Sequence, residues 1–279
     1  MTQKVGPPRW GIVLDAGDGC GAVRFDARSV APLRTGEDIA ELVGDVIVTV
    51  DAGSRLRAAL AALTCGDGLD DASLVGFVCP DGWRAVHRKL VEEALGRPGP
   101  AVRFVPRLHA VLTSCARLDQ AHDGVRVVVV HIGLRITEVW HVIRHEDAWL
   151  ATGTAAGDLG VVDADPAGRC GSPPAEPIGA ARARTGVDLA GGVEKLVLGV
   201  VLAAGSPSGL SVIVAGPGAA LPGVAGAVER AAGAPAETAG VDPQWQAAFG
   251  AARHWIPLLD VGARQSPAET VPAFVAGAE

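Results

Sequence analysis

The stretch IVLDAGDGCGAVRF, residues 12–25, has the pattern of an apolar strand, a tight turn and a second strand. Asp15 stands where the first strand ends, and Gly17, Gly19 and Gly21 lie inside the turn. Glycines after a buried strand let backbone amides approach a phosphate, but the same pattern also makes an ordinary hairpin. Taken alone, the stretch leaves both interpretations open, and the rest of the chain decides between them.

The composition is that of a folded globular chain. Of the 279 residues, 49% are apolar and 20% are charged, and no polar low-complexity run suggests a mainly disordered protein. The formal net charge of −7 disfavours a nucleic-acid backbone as the main partner, because such binders carry a clustered basic surface. We therefore expect no nucleic-acid partner.

Cysteine usage and apolar runs bear on the location of the protein. The five cysteines are far apart and form no C-x-x-C pair, and the N-terminus lacks the apolar segment of a signal peptide. The sequence therefore predicts reduced thiols in a cytoplasmic protein and no zinc site. The uncharged run at 196–228 is broken by glycine and proline at 205–209 and 216–218, so we expect buried elements there and no membrane span.

The order of predicted elements occurs twice along the chain. Each half begins with a hairpin, at 10–25 and at 125–144, and each later contains a buried strand that ends in proline or glycine, at 74–80 and at 210–216. Helical periodicity lies between and after these strands. The pattern indicates a duplicated α/β unit, and pairs of such units usually bind a ligand in a cleft at the carboxyl ends of their strands.

Six segments in order over residues 10–253 resemble the motifs of the actin, Hsp70 and sugar-kinase superfamily of ATPases. They are GIVLDAGDGCGAVRF at 11–25 for the first phosphate motif, VPRLHAVL at 105–112 for the first connecting helix, VVVVHIGLRITEVWHV at 127–142 for the second phosphate motif, LATGTAAGDLGVVDAD at 150–165 for the segment after it, SVIVAGPGAALPGV at 211–224 for the adenosine motif, and DPQWQAAFGAA at 242–252 for the last connecting helix. The resemblance is closest to a shortened Hsp70 nucleotide-binding domain.

This resemblance implies an α/β fold of two RNase H-like lobes, at 1–119 and 120–255, related by pseudo-twofold symmetry. A shortened loop at 163–192 stands in place of the helical subdomain of the second lobe, which is largely deleted, and a C-terminal tail follows at 256–279. In overall build the chain also resembles small Hsp70-like proteins encoded beside bacterial type VII secretion genes. Protein partners from such a secretion system are the corresponding expectation.

The resemblance also implies a site for ATP or ADP with Mg²⁺. Asp15 would be the catalytic candidate and would orient the metal through water. The residues implied to hold the nucleotide are Asp15, Gly17, Asp18, Gly19, Gly133, Gly216 and Gly218, and the backbone amides of 17–19, 133–135 and 216–218 would contribute.

Several positions depart from the motifs. Asp18 and Gly19 replace two threonines, His131 replaces the second metal-orienting aspartate, and Gly133 is what remains of three glycines. His131 itself could be a metal ligand, but a solvent-facing or hydrogen-bonded histidine is favoured. We therefore predict a degenerate, non-catalytic interaction or assembly component that binds Mg-ATP weakly or not at all. The alternative is an ATP-binding protein with slow hydrolysis and a chaperone-like role.

Overall fold

The computed structural model describes residues 10–15, 22–33, 54, 56–58, 60, 73–81, 83–95, 101–134, 136–161, 189–205, 208–238 and 242–259. Within them the chain forms two compact units. One unit contains the described residues up to 114 together with 247–259, and the other contains those from 115 to 246. The sequence predicts a boundary at 119/120 and a second lobe that continues to 255. In the structure, residues 247–259 belong to the first unit.

The described strands and helices are numbered in chain order. The strands are β1 (Trp10–Asp15), β2 (Ala22–Asp26), β3 (Val30–Leu33), β4 (Ser73–Cys79), β5 (Ala101–Pro106), β6 (Arg126–Ile132), β7 (Thr137–His145), β8 (Ala148–Gly157), β9 (Ser211–Ala215) and β10 (Ala236–Glu237). The helices are α1 (Ala85–Leu95), α2 (Arg107–Ser114), α3 (Leu189–Ala203), α4 (Val224–Ala232) and α5 (Gln246–Leu259). Short 3₁₀ turns lie at Ala116–Gln120, Pro217–Ala220 and Pro243–Trp245.

The first unit contains a five-stranded sheet in the order β3-β2-β1-β4-β5. The first three strands form an antiparallel meander, and β1, β4 and β5 run parallel. The apolar run of β1 is buried at the centre of this sheet, as expected for a strand covered on both faces. The side chains of Ile12, Leu56, Leu60, Val75 and Phe77 belong to one buried cluster.

The second unit contains a sheet of matching order, β10-β9-β6-β7-β8. Here β6, β7 and β8 form the antiparallel meander, and β6 runs parallel to β9. The valine run of β6 is fully buried, and Val128 and Val130 belong to the core that α3 and α4 help to form. The two predicted hairpins thus belong to different sheets, and the expected α/β fold of two sheet-based units is confirmed.

Some elements differ from the sequence expectation. Strands β3 and β10 were not predicted, because β3 is four residues long with Pro32 inside it and β10 has only two residues. Of the loop predicted at 163–192, only 189–192 are described, and they already belong to α3. The predicted tail from 256 is described only to Leu259, within α5. None of the described helices combines the length and the hydropathy that crossing a membrane requires.

Candidate functional site

Asp15 and Arg107 form a buried ion pair at the carboxyl ends of the first sheet. Asp15 is the last residue of β1, and Arg107 follows Pro106 of β5 as the first residue of α2. The Arg107 Nε and Nη2 atoms both donate hydrogen bonds to Oδ1 of Asp15, at 3.1 and 3.0 Å. Both side chains are almost completely inaccessible to solvent, at 0% and 2%. The candidate catalytic and metal-orienting carboxylate therefore has a permanent internal cation at one of its oxygens.

The register of the parallel strands explains this pairing. Asp15 aligns with Val78 of β4, and Val78 aligns with Val105 of β5. Parallel strands in register end at one edge of the sheet, so the chain that leaves β5 starts α2 beside the end of β1. A positive charge at a helix N-terminus is opposed by the helix dipole, and the Asp15 carboxylate compensates for it.

Cys79 ends β4, the strand between β1 and β5, and its thiol is buried. Burial raises the pKa of the Cys79 thiol to about 12, and the charge of Asp15 adds to this effect while Arg88 and Arg107 oppose it. A thiol with such a pKa is protonated at neutral pH and is a poor nucleophile and metal ligand. The edge of the first sheet therefore contains a matched ion pair beside an inert thiol.

In the second unit, the glycines expected to contact phosphate instead form hydrogen bonds and close contacts with other parts of the protein. The Gly133 amide donates to the carbonyl of Ile136 and closes the β6–β7 turn, while the Gly216 amide donates to the carbonyl of Pro243. Gly216 has φ +85°, a left-handed conformation that favours glycine. A Cβ atom at Gly218 would overlap the Ile132 side chain. Hydrogen bonds and close packing within the protein therefore account for glycine at these three positions without a bound phosphate.

His131 lies on β6 and is completely buried, so the solvent-facing alternative is wrong. It is opposite Glu138 of β7, which is also buried, and side chains opposite each other on antiparallel strands share a face of the sheet. The His131 Nε2 atom also lies close to Gly216, where a Cβ atom would stand 2.9 Å from it. The histidine that stands where the resemblance implies a metal-orienting aspartate is therefore a buried residue, packed near the backbone of Gly216 and on the face of the sheet that it shares with Glu138.

Part of the predicted site lies outside the described residues. This holds for Gly17, Asp18 and Gly19 of the first turn and for Arg135. In the part of the chain that the structure describes, no group of three or more His, Cys, Asp or Glu side chains could hold a metal ion. The site residues whose positions the structure gives are thus Asp15, Gly133, Gly216 and Gly218, and the first belongs to a different unit from the other three.

Comparison of the whole chain with known proteins identifies the fold. No family model and no curated protein sequence matches the chain. The structure is similar to MreB5 of Spiroplasma citri, solved bound to ADP, with a TM-score of 0.59 at 11% identity over 92% of this chain and 99% of that one. The chain has the actin-like ATPase fold. EutJ, an ethanolamine utilization protein from Carboxydothermus hydrogenoformans, is similar with a TM-score of 0.53 at 19% identity over 90% of this chain and 91% of that one.

The comparisons confirm the resemblance read from the six motifs, at the level of fold. An actin-like fold with a reduced helical subdomain agrees with a chain of 279 residues. Arg107 is the residue that sequence reasoning missed in this actin-like chain. The signal was present in VPRLHAVL, where a basic residue directly follows the proline of the first connecting helix, but an arginine at a helix start is usually solvated.

Proposed function

We propose that this actin-like protein is a pseudo-ATPase, a non-catalytic interaction or assembly component that binds Mg-ATP weakly or not at all. The observation that carries this proposal is the Arg107 guanidinium on Oδ1 of Asp15. A carboxylate that orients hydrated Mg²⁺ must accept hydrogen bonds from the metal's waters, whereas the Asp15 side chain is almost completely buried and its Oδ1 already accepts two hydrogen bonds from Arg107. The residues present therefore do not fit that role for Asp15, and we derive no catalytic step through a metal.

Two further observations support the loss of nucleotide chemistry. Gly133 and Gly216 use their amides within the second unit, and buried His131 stands where the resemblance implies an aspartate. A lost charge-assisted contact weakens binding by about 1.5–3 kcal/mol, and each ~1.4 kcal/mol is tenfold in affinity. Losing three such contacts would move a micromolar site to the millimolar range or beyond.

The second candidate function is an ATP-binding protein with slow hydrolysis and a chaperone-like role. One observation favours it, since the structurally similar MreB5 was solved bound to ADP.

A partner from a type VII secretion system is also part of our main proposal, the pseudo-ATPase, and rests on the resemblance in overall build. Such partners would bind to a protein that has kept the fold of an ATPase without its turnover.

Isothermal titration with Mg-ATP and Mg-ADP tests the proposal. We expect dissociation constants above about 1 mM, and phosphate release from ATP no faster than in a protein-free control. Asp18→Thr restores a hydroxyl and removes a charge, so it should tighten whatever binding exists. A wild-type dissociation constant below about 10 μM, roughly −7 kcal/mol, would overturn the proposal in favour of the nucleotide-binding alternative.

A further inference from the structure

Strand β8 forms one edge of the second sheet and is the longest strand among the described residues. Within the described part of the chain it pairs only with β7. Its ten residues, Ala148–Gly157, include no charged side chain and no proline. An edge strand of this kind presents backbone N–H and C=O groups that another strand can pair with.

The other described sheet edges have features that discourage such pairing. Strand β3 is short and contains Pro32, and β10 has only two residues. Strand β5 carries the exposed Arg103 and ends in Pro106. Proteins commonly protect edges by short strands, prolines and charges, so β8 is the exception among the sheet edges that the structure describes.

A bulge at Thr152 divides β8 into two parts. The register with β7 shifts between His141 and Val142, and the Thr152 hydroxyl is hydrogen-bonded to His141. The part after the bulge, 153–157, pairs with β7 without interruption. Its exposed side chains, at Thr154 and Ala156, are small. The part before the bulge, 148–151, is also regular but is shorter and carries the large side chains of Trp149 and Leu150, so 153–157 is the better platform for an added strand.

The chain that follows β8 turns away from the open edge. The Leu159 carbonyl accepts a hydrogen bond from Thr137 Oγ1 at 2.7 Å, and the Val161 amide donates to the carbonyl of Gly133 at 3.1 Å. Both partners lie at the ends of β6 and β7, on the side opposite the edge. The described chain therefore leaves the edge of β8 open.

Acidic residues stand at both ends of the uncharged strand. Glu146 and Asp147 precede β8, Asp158 follows it, and all three are exposed. Arg144 lies 3.8 Å from Asp147 and offsets one of the two negative charges at the first end, so one net negative charge remains at each end of the strand. In an antiparallel pair with a second copy that sets Ala148 opposite Gly157, Asp147 would face Asp158 at both ends, and opposed like charges destabilise strand pairing. The charge pattern thus disfavours self-pairing and favours a partner with basic ends.

We propose that β8 is a strand-addition site for an extended segment of a partner protein, with small or apolar residues in its middle and lysine or arginine at its ends. Main-chain hydrogen bonds to 153–157 give the binding, and the acidic ends give the selectivity. The inference goes beyond the proposed function, because the described residues leave this edge unpaired independently of any nucleotide. A failure of one proposal leaves the other standing.

The test uses the full chain and two labelled, capped peptides with a shared middle of about eight alternating valines and threonines. One peptide has two lysines at each end and the other has two glutamates. We expect the lysine-ended peptide to bind about tenfold more tightly in an anisotropy titration, and to slow hydrogen exchange at alternate amides of 153–157. The preference should weaken as salt is raised.

The variant Asp147→Lys with Asp158→Lys should abolish or reverse this preference. The matched control, Glu92→Lys with Glu93→Lys, makes the same change of charge on exposed residues of α1 and should leave the preference intact. Equal binding of both peptides, or exchange protection away from β8, would overturn the proposal. Concentration-dependent protection of β8 without peptide would also overturn it, because the occupant would then be a second copy.

Discussion

Gly250 of α5 and Ala110 of α2 are in backbone contact, so close that a Cβ atom at position 250 would overlap the Ala110 carbonyl oxygen. Near the other end of α5, the Trp255 ring fills the space above Gly76 of β4. The Arg253 side chain also donates to the carbonyl of Thr113 at 3.1 Å. These contacts attach α5 to the first unit, although the residues of the second unit separate α5 from the rest of the first unit in the sequence.

Gly250→Ala should therefore destabilise the protein. A methyl group pressed against a helix backbone forces the two helices apart, and such overpacking typically costs about 1–3 kcal/mol. Gly199→Ala is the matched control, because Gly199 also lies within a helix but a Cβ atom there would have nothing within 4 Å. Gly199→Ala should raise the free energy of unfolding by about 0.5–1 kcal/mol, because alanine is more favourable than glycine inside a helix. Urea unfolding followed by circular dichroism measures both, and equal effects would contradict the close contact at Gly250.

Replacing Arg107 alone should be among the most damaging single changes in the described part of the chain. Arg107→Met leaves the Asp15 carboxylate buried without its main counter-charge, which typically costs about 3–5 kcal/mol. Combining it with Asp15→Leu removes both charges and should restore most of the stability. The exposed Arg230–Glu194 pair is the control, and Arg230→Met should have a far smaller effect. If Arg107→Met were as stable as Arg230→Met, the buried pair between Arg107 and Asp15 would not be formed.

Stability should fall on mild acidification. Burial lowers the pKa of His254, and burial together with the charge of His254 lowers the pKa of His109. The two rings are in edge-to-face contact, with centroids 5.1 Å apart. Because the unfolded chain binds these protons more readily, the free energy of unfolding decreases as the pH falls below about 6.5 and stops decreasing below the folded-state pKa values.

Urea unfolding at pH 7.5 and pH 5.5 measures this decrease. A His109→Gln variant should reduce it by removing one group and the repulsion between the two protonated rings. His141, whose pKa is also lowered by burial, contributes in the same direction from the second unit, so His109→Gln should not abolish it. A pH dependence unchanged in His109→Gln would show that this pair is not responsible.

Cys79 should resist alkylation in the folded protein. With burial raising its pKa to about 12, its thiolate fraction near pH 8 is about a thousandfold lower than that of an ordinary thiol. A variant that keeps only Cys79 should react with iodoacetamide slowly in buffer and rapidly in urea. Rapid labelling in buffer, with circular dichroism unchanged, would place this thiol at an accessible surface.

Several features of the protein could be predicted from the sequence because they depend on neighbouring residues. The buried valine run of β6 and the hairpins that start each half follow from local hydrophobic pattern and turn residues. Asp15 was recognised because it directly follows an apolar strand and precedes a glycine-rich turn. Strand β3 was missed because Pro32 and its short length remove the same local signals.

Only the tertiary structure decided what the candidate residues contact. Arg107 binds a carboxylate 92 positions away, and Gly250 lies against a helix that precedes the entire second unit. Burial of His131 likewise depends on strands that its own sequence neighbours do not specify. Local pattern fixes which residues form a strand or helix, whereas the partner of a buried charge depends on which strand ends meet, and that is set by packing across the sheet.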